Sequence, residues 1–390
     1  MALDHGQATS SLTLLLKAGS RYETKPGIAR VLKNFVFKGT TERSALRLAR
    51  ESELYGGILS ASLGREYLAL TAEFLRGDEE HFVDVLSSVL SSSNLATHEL
   101  RELVGPLVDA ECNAASANPT IIAIDTAHSL AFRSGLGNPL FTTHRGDISV
   151  EDVRAFAAKA FTQDNVAVLG NGISSSVLTS HIQKGLSKLP GGATTARSTT
   201  KYFGGEARIE SPSRPTLFIG FGTSSPLSAL PVLAAYLEPT PSLKWTPGTS
   251  PLSKVPQGAS VEIVHETYSD GALLGVLVQA PTIAAAKEAG TIAAKALRNL
   301  SSINKQELQK AISKAKFKAA SALESRETTA VAIAPQVFTG KGDLVQSTLK
   351  ELESIAESEV NKAARSLTSG KPTYVAIGSG ALPYADELGL

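Results

Sequence analysis

A chain of 390 residues, 42% hydrophobic and 19% charged, is too long for one ordinary core and has apolar residues enough for two, which excludes a disordered tail. Its 38 basic and 37 acidic residues leave a formal charge of +1, so no global field holds nucleic acid or an anionic membrane. Cys112 is the single cysteine, which excludes an intrachain disulfide and a thiolate zinc cluster.

In chain order, Ser11–Ala18 reads as a strand ending at Gly19-Ser20. Pro26-Gly27 opens a short helix to about Phe37, with proline where a missing N–H costs least. Thr41–Tyr55 carries Ala45, Leu48, Ala49 and Leu54 at helical spacing and stops at Gly56-Gly57. Ile58–Leu63 and Tyr67–Phe74 flank a turn at Gly64-Arg65, and the second alternates, with Leu68, Leu70, Ala72 and Phe74 on one side. Phe82, Val85, Leu86 and Val89 mark an amphipathic helix. Further helices are expected over Thr97–Ser116, Pro119–Phe132, Val150–Phe161 and Val177–Leu186, with a strand at Val166–Leu169.

The polar, glycine-rich stretch 189–205 reads as a linker. Beyond it the order begins again: strand Thr216–Gly222, helix Leu227–Leu237, and a hairpin of Val261–Tyr268 and Ala272–Val278 around Ser269-Asp270-Gly271. Helices Ile283–Leu300, Lys305–Leu323 and Leu352–Leu367 and a last strand Thr373–Ile377 follow. Helix, hairpin and helix thus recur about 200 residues apart, an internal duplication of an α+β sheet domain. Gly271–Ala280 is too short to cross a bilayer as a helix, and Lys287, Glu288, Lys295 and Arg298 break Ile283–Leu300. Asp4 precedes the first basic residue, Lys17, which is not the composition of a mitochondrial transit peptide, so the sequence reads as a mature or trimmed chain.

Ala18–Thr40 (AGSRYETKPGIARVLKNFVFKGT) is the most informative stretch. It closely resembles the zinc-binding segment of pitrilysin-like metallopeptidases, above all the mitochondrial processing peptidase branch. In active members a Gly-x-Ala-His-x-x-Glu-His run leads to Phe-Lys-Gly-Thr. The frame stands here as Gly27, Ala29, Leu32, Phe37, Lys38, Gly39 and Thr40, and the resemblance continues through Arg50-Glu51-Ser52-Glu53-Leu54 and Gly135-Leu136-Gly137-Asn138-Pro139-Leu140.

Two histidines at i and i+4 share one helix face and can reach one zinc ion, while the adjacent Glu takes a proton from metal-bound water. Here the histidine positions hold Arg30 and Asn34, and the Glu position holds Lys33. Arg30 has no lone pair, Lys33 adds a second repulsive charge and makes a poor base, and Asn34 offers only an amide oxygen. The family spacing places its third ligand at Glu111, which is either a relic ligand paired with Arg30 or Lys33, or an ordinary helix-surface carboxylate.

No other chemistry stands out. The seven histidines (His5, His81, His98, His128, His144, His181 and His265) include no pair at i,i+3 or i,i+4, and His98, near Glu99 and Glu102, suits a cap or solvent. Gly220-Phe221-Gly222-Thr223-Ser224-Ser225 lacks the third glycine of a dinucleotide fingerprint, Glu238 ends a helix, and a tight strand-to-helix turn accounts for these glycines. Gly340-Lys341-Gly342-Asp343 lacks phosphate-loop spacing, and no Gly-x-Ser-x-Gly elbow occurs. Pro239–Val255, a Pro-, Ser- and Thr-rich loop with the single Trp245, is either a packed surface loop or a partner contact.

Three segments point within the family to its non-catalytic respiratory branch: Arg21-Tyr22-Glu23-Thr24, Lys244–Ser250, and the tail Thr373–Gly378 with Leu382–Leu388. The resemblance implies two homologous sheet-plus-helix domains around a cavity, 1–188 with the degenerate motif and 206–390, joined by 189–205. It implies an inactive peptidase homologue: a structural subunit of mitochondrial ubiquinol–cytochrome c reductase, without catalytic residue, metal or cofactor of its own. Its partners would be a core protein 1 homologue and other subunits of that dimeric complex, on the matrix side of the inner membrane and peripheral to it. The alternative is the non-catalytic, substrate-recognising subunit of a mitochondrial processing peptidase.

Overall fold

The computed structural model describes residues 1–4, 6–142, 148–192, 199–240, 248, 250–322, 337–338 and 344–390. Two compact units emerge. The first gathers Met1–Ala114, Asn138–Ser198 and Leu323–Leu344; the second gathers Ala115–Gly137, Thr199–Ala322 and Val345–Leu390.

The first unit opens with β1 (Ala2–Leu3), β2 (Thr9–Leu16), α1 (Ile28–Phe35), α2 (Ala45–Leu54), β3 (Ile58–Leu63), β4 (Leu68–Leu75) and α3 (Glu79–Ser92). The expected helix Thr97–Ser116 is present but not uniform: α4 (Thr97–Glu99) passes through a π-helical stretch, Leu100–Val104, into α5 (Gly105–Ser116). Pro106 supplies the reason, since it has no N–H to donate one turn back and its ring crowds the carbonyl there, which a wider turn relieves. Next in the chain comes α6 (Pro119–Phe132), which groups with the second unit; α7 (Val150–Ala160), β5 (Val166–Asn171) and α8 (Ser175–Leu186) complete the first.

The first sheet runs β1-β5-β2-β4-β3, with β1 parallel to β5 and every other pair antiparallel. Leu12, Leu14 and Leu16 alternate inward beside Leu68, Leu70, Ala72 and Phe74. Helix residues Ile28, Leu32 and Phe35, with Phe82, Val85, Leu86 and Val89, close that core.

The second unit contains β6 (Gly205–Glu210), β7 (Thr216–Thr223), α9 (Leu230–Leu237), β8 (Ser260–Tyr268), β9 (Gly271–Gln279), α10 (Ile283–Arg298), α11 (Lys305–Ala322), α12 (Leu344–Ser354), α13 (Glu357–Thr368) and β10 (Thr373–Gly378). Its sheet order, β6-β10-β7-β9-β8, repeats the first with β6 as the parallel edge. Strand starts recur at offsets of 202 to 207: Ala2 and Gly205, Thr9 and Thr216, Ile58 and Ser260, Leu68 and Gly271, Val166 and Thr373. The fold is α+β and duplicated.

Three expectations are corrected. Leu352–Leu367 is not one helix: Ala356 is extended (ψ 152°), and its N–H is met by the Glu359 carboxylate, which starts a new helix at Glu357. The glycines of Gly220–Ser225 are not a turn into a helix, because Gly220 and Gly222 lie inside β7, and α9 begins only at Leu230. They make room: a Cβ at Gly222 would come within 2.7 Å of the Tyr202 ring, and one at Gly220 within 2.7 Å of the Leu274 carbonyl oxygen. Finally, β1 and β6 are parallel edge strands that the sequence does not announce, because they carry little hydrophobic periodicity. Residues 193–198 of the linker stretch and the glycines of 340–343 fall outside the described residues.

Candidate functional site

The site is built on α1, whose start is held by two devices. Gly27 is the N-cap at φ +87°, a left-handed conformation that favours glycine. The Glu23 carboxylate accepts the backbone N–H of Gly27 (3.1 Å) and of Ala29 (3.1 Å), taking up donors that have no intrahelical acceptor at the positive end of the helix. Just upstream, Arg21 Nη1 lies 2.9 Å from Glu66 Oε1, with both side chains almost fully buried, so the loop before α1 is pinned to the turn before β4. The segment Arg21-Tyr22-Glu23-Thr24 thus positions α1.

One face of α1 presents Arg30, Lys33 and Asn34 to α5, and α5 answers with Glu111. Arg30 Nη1 donates to Glu111 Oε2 at 2.7 Å, Lys33 Nζ to Oε1 at 2.6 Å, and Asn34 Nδ2 to Oε2 at 3.3 Å. Of the two sequence readings of Glu111, the geometry is that of the paired carboxylate. Arg30 is fixed further by Nε donating to the Leu140 carbonyl (2.8 Å) and by its guanidinium lying 3.8 Å over the Phe141 ring. Leu140 and Phe141 join this cluster only through the tertiary structure; in the sequence, Gly135–Leu140 carries a family resemblance and no sign of this contact.

Burial pushes the Glu111 carboxyl up, but hydrogen bonds from Lys33 and Arg30 outweigh it and hold the group below the ordinary carboxylate value. Both oxygens are therefore engaged as an anion by cations of the chain itself. Toward a metal ion the donor set does not fit: Arg30 offers no lone pair, Lys33 presents an ammonium, and Asn34 turns its amide nitrogen to Glu111 and to the Arg30 carbonyl (3.2 Å). Neighbouring Cys112 is buried, which pushes its thiol up and away from reactivity.

Among the described histidines, His81 and His181 line one pocket beside Asp78, Glu80 and Asp84. His128 is buried in the second unit, Nδ1 2.7 Å from the Ile124 carbonyl and Nε2 2.8 Å from the Tyr268 hydroxyl. His81 stacks on Tyr55 at 4.1 Å, His98 and His265 are exposed, and His5 and His144 lie outside the described residues. Beside His98, Glu99 is buried and accepts the Gly39 N–H at 3.0 Å, fastening the Lys38-Gly39-Thr40 end of the motif. Among the described residues no group of three or more His, Cys, Asp or Glu side chains could hold a metal ion. Trp245 falls outside the described residues. The tail is anchored: Tyr374 donates to the Pro383 carbonyl (2.6 Å), Arg208 to those of Leu382 (2.7 Å) and Pro383 (3.0 Å), and the Arg208 guanidinium lies 4.0 Å over Tyr384.

A duplicated five-stranded α+β unit that sets i, i+3 and i+4 of its first helix against a carboxylate of a later one is a pitrilysin-type metallopeptidase framework. Residues 1–144 match the family model described as Insulinase (Peptidase family M16). The chain is 47% identical to the mitochondrial cytochrome b-c1 complex subunit 2 of Cryptococcus neoformans var. grubii, over 98% of this chain and 90% of that protein. It is 36% identical to the protein of that name from Neurospora crassa (99% and 88% covered) and 27% identical to the human one (99% and 89%). The chain belongs to the cytochrome b-c1 complex subunit 2 family, built on the M16 peptidase fold.

Proposed function

We propose that this chain is a structural core subunit of the mitochondrial cytochrome b-c1 complex, supporting its assembly and stability in respiratory electron transport and carrying out no peptide hydrolysis of its own. Likeness to subunit 2 proteins over nearly the whole chain supports the first part. One observation carries the second: the carboxylate that would complete a zinc site is saturated by Arg30 and Lys33. With no metal-bound water there is nothing for a general base to activate, and Lys33 carries the wrong charge to act as one. A core protein 1 homologue as partner, a dimeric complex, and a peripheral place on the matrix side of the inner membrane complete the reading. Of these, the peripheral place is the part that fits an observation: among the described residues no helix is long and apolar enough to cross a membrane.

Purification of the native assembly tests the proposal. Stoichiometric haem absorbance in the fractions that contain this chain is expected, with no zinc bound to the isolated chain. Elution as a haem-free, peptide-cleaving heterodimer would favour the substrate-recognition role, and chelator-sensitive hydrolysis by the chain alone would end both readings.

A further inference from the structure

Helices α3 and α8 of the first unit meet at Gly185, where a Cβ would stand 2.4 Å from the Ser87 hydroxyl oxygen and 3.1 Å from Val83. The glycine lets the two helices approach closely, and beside the contact they enclose a cleft of about 490 Å³. None of the residues lining it belongs to the Arg30–Glu111 cluster.

The two walls carry opposite chemistry. From α3 and its N-cap come Asp78, Glu80 and Asp84, whose carboxylates only accept hydrogen bonds. The other wall carries Lys184 and Lys188, which only donate, with His181 beside them. His181 and Lys184 stand one turn apart on α8, and Lys188 lies in the turn that follows. Lys184 Nζ reaches Glu80 Oε1 at 3.2 Å across the gap, so one small molecule can touch both walls. The two side chains of that pair are 79% and 71% exposed, so the contact is weak and gives way readily.

The rest of the lining is polar and largely unspent. Ser87 is 5% exposed, and its hydroxyl has no hydrogen-bond partner among the described residues. Asp84 gives one oxygen to Arg43 Nη2 at 2.7 Å. His81 is held by stacking on Tyr55 at 4.1 Å, and its Nε2 is enclosed without a partner among the described residues. Burial, then the Arg43 charge, push this imidazole below its ordinary value, so it adds no positive charge to the α3 wall at neutral pH. Among the described residues Val83 is the one apolar side chain in the lining, which does not suit an acyl chain or an aromatic group.

We infer that this cleft binds a small zwitterion joining a primary ammonium to a phosphate, the chemistry of an aminoethyl phosphate group. The ammonium brings three N–H donors to the acceptor-only wall. The phosphate brings its oxygens to Lys184, Lys188 and the Ser87 hydroxyl, donors that outnumber the two oxygens of a carboxylate. A simple anion would face Asp78, Glu80 and Asp84, and a simple cation would face the lysines; a dipolar ligand suits both walls. A free compound and the headgroup of an aminophospholipid share this chemistry.

The test is calorimetric titration of the full chain with phosphoethanolamine. One saturable site is expected, with phosphocholine, ethanolamine and inorganic phosphate each at least tenfold weaker. Phosphocholine is the most telling control, because its quaternary nitrogen keeps the charge but has no N–H. Lys184→Ala with Lys188→Ala should weaken binding at least tenfold. Asp78→Asn with Glu80→Gln, a second and milder variant, should remove the preference over inorganic phosphate. Flotation with phosphatidylcholine vesicles that carry phosphatidylethanolamine, lost in the lysine variant, assigns the group to a lipid. Binding of the soluble compound without flotation assigns it to a free ligand. No saturable binding in either form, equal binding of phosphocholine, or binding that survives loss of both lysines would overturn the inference.

Discussion

Arg30 Nη1 and Glu111 Oε2 stand 2.7 Å apart across 81 positions of sequence, and Lys33 Nζ holds the other carboxylate oxygen at 2.6 Å. Two cations therefore meet a carboxylate where the family motif would gather neutral nitrogen donors round a dication. Removing the carboxylate should leave two positive charges facing each other. Breaking a fully buried ion pair costs about 3–5 kcal/mol. The Glu111 side chain is 30% exposed, so water recovers part of that. We expect Glu111→Gln to lower unfolding free energy by about 1–3 kcal/mol in urea titrations. The triple change Arg30→Met, Lys33→Leu, Glu111→Leu should lie within about 1 kcal/mol of the unmodified chain, because it removes the desolvation cost with the attraction.

Acid should act on the same contact with a defined sign. The folded-state pKa of Glu111 is depressed, so its contribution is fully present above the ordinary value of 4.5 and is lost as pH falls through the folded value. The stability gap between the unmodified chain and Glu111→Gln should be constant from neutrality to pH 4.5 and close below it. Asp152, held down to about 2 by Lys25 and by the Ser149 backbone N–H, should keep a separate acid dependence between 3.8 and 2 in both proteins. A gap that widened on acidification would contradict the pairing.

Restoring neutral donors should restore metal binding, because α1 and Glu111 already stand in place. Equilibrium dialysis against zinc is expected to show none retained by the unmodified chain. It should show one equivalent retained by the Arg30→His, Lys33→Glu, Asn34→His variant, reduced at least tenfold in affinity by further Glu111→Ala. Equal retention by both proteins would mean that the metal sits elsewhere.

Gly275 faces Phe218 across the β7–β9 pair, and a methyl group there would meet the ring at 2.2 Å. Gly275→Ala should destabilise the second unit by about 1–3 kcal/mol through overpacking. Phe218→Leu in the same chain should recover part of that loss, giving a non-additive double-mutant cycle in thermal unfolding. Additive losses would show that the ring does not lie over this glycine.

Much of the architecture is legible in the residues alone. The hairpins β3–β4 and β8–β9 announce themselves because a half-buried strand must alternate and a tight turn needs particular residues. Helix α1 is framed by Pro26 and Gly27, and its altered motif is visible because i,i+3,i+4 spacing is a property of any helix. The break at Ile355-Ala356 is not legible, since neither residue interrupts helical periodicity and Glu359 does its capping from outside the gap. The two-sided burial of the second sheet does leave a signal: β7, β9 and β10 are apolar at successive positions, the mark of a sheet covered on both faces.

Sequence by itself determined the duplicated α+β pattern, the chemistry missing at positions 30, 33 and 34, and the candidate carboxylate at 111, because each rests on periodicity or residue type. Only the tertiary structure decided that Glu111 is claimed at once by Arg30, Lys33 and Asn34, that Leu140 and Phe141 fix the guanidinium, and that α6 covers the second unit's sheet. Those are meetings of residues tens to hundreds of positions apart, set by which apolar surfaces must be buried together, and no local pattern carries that information.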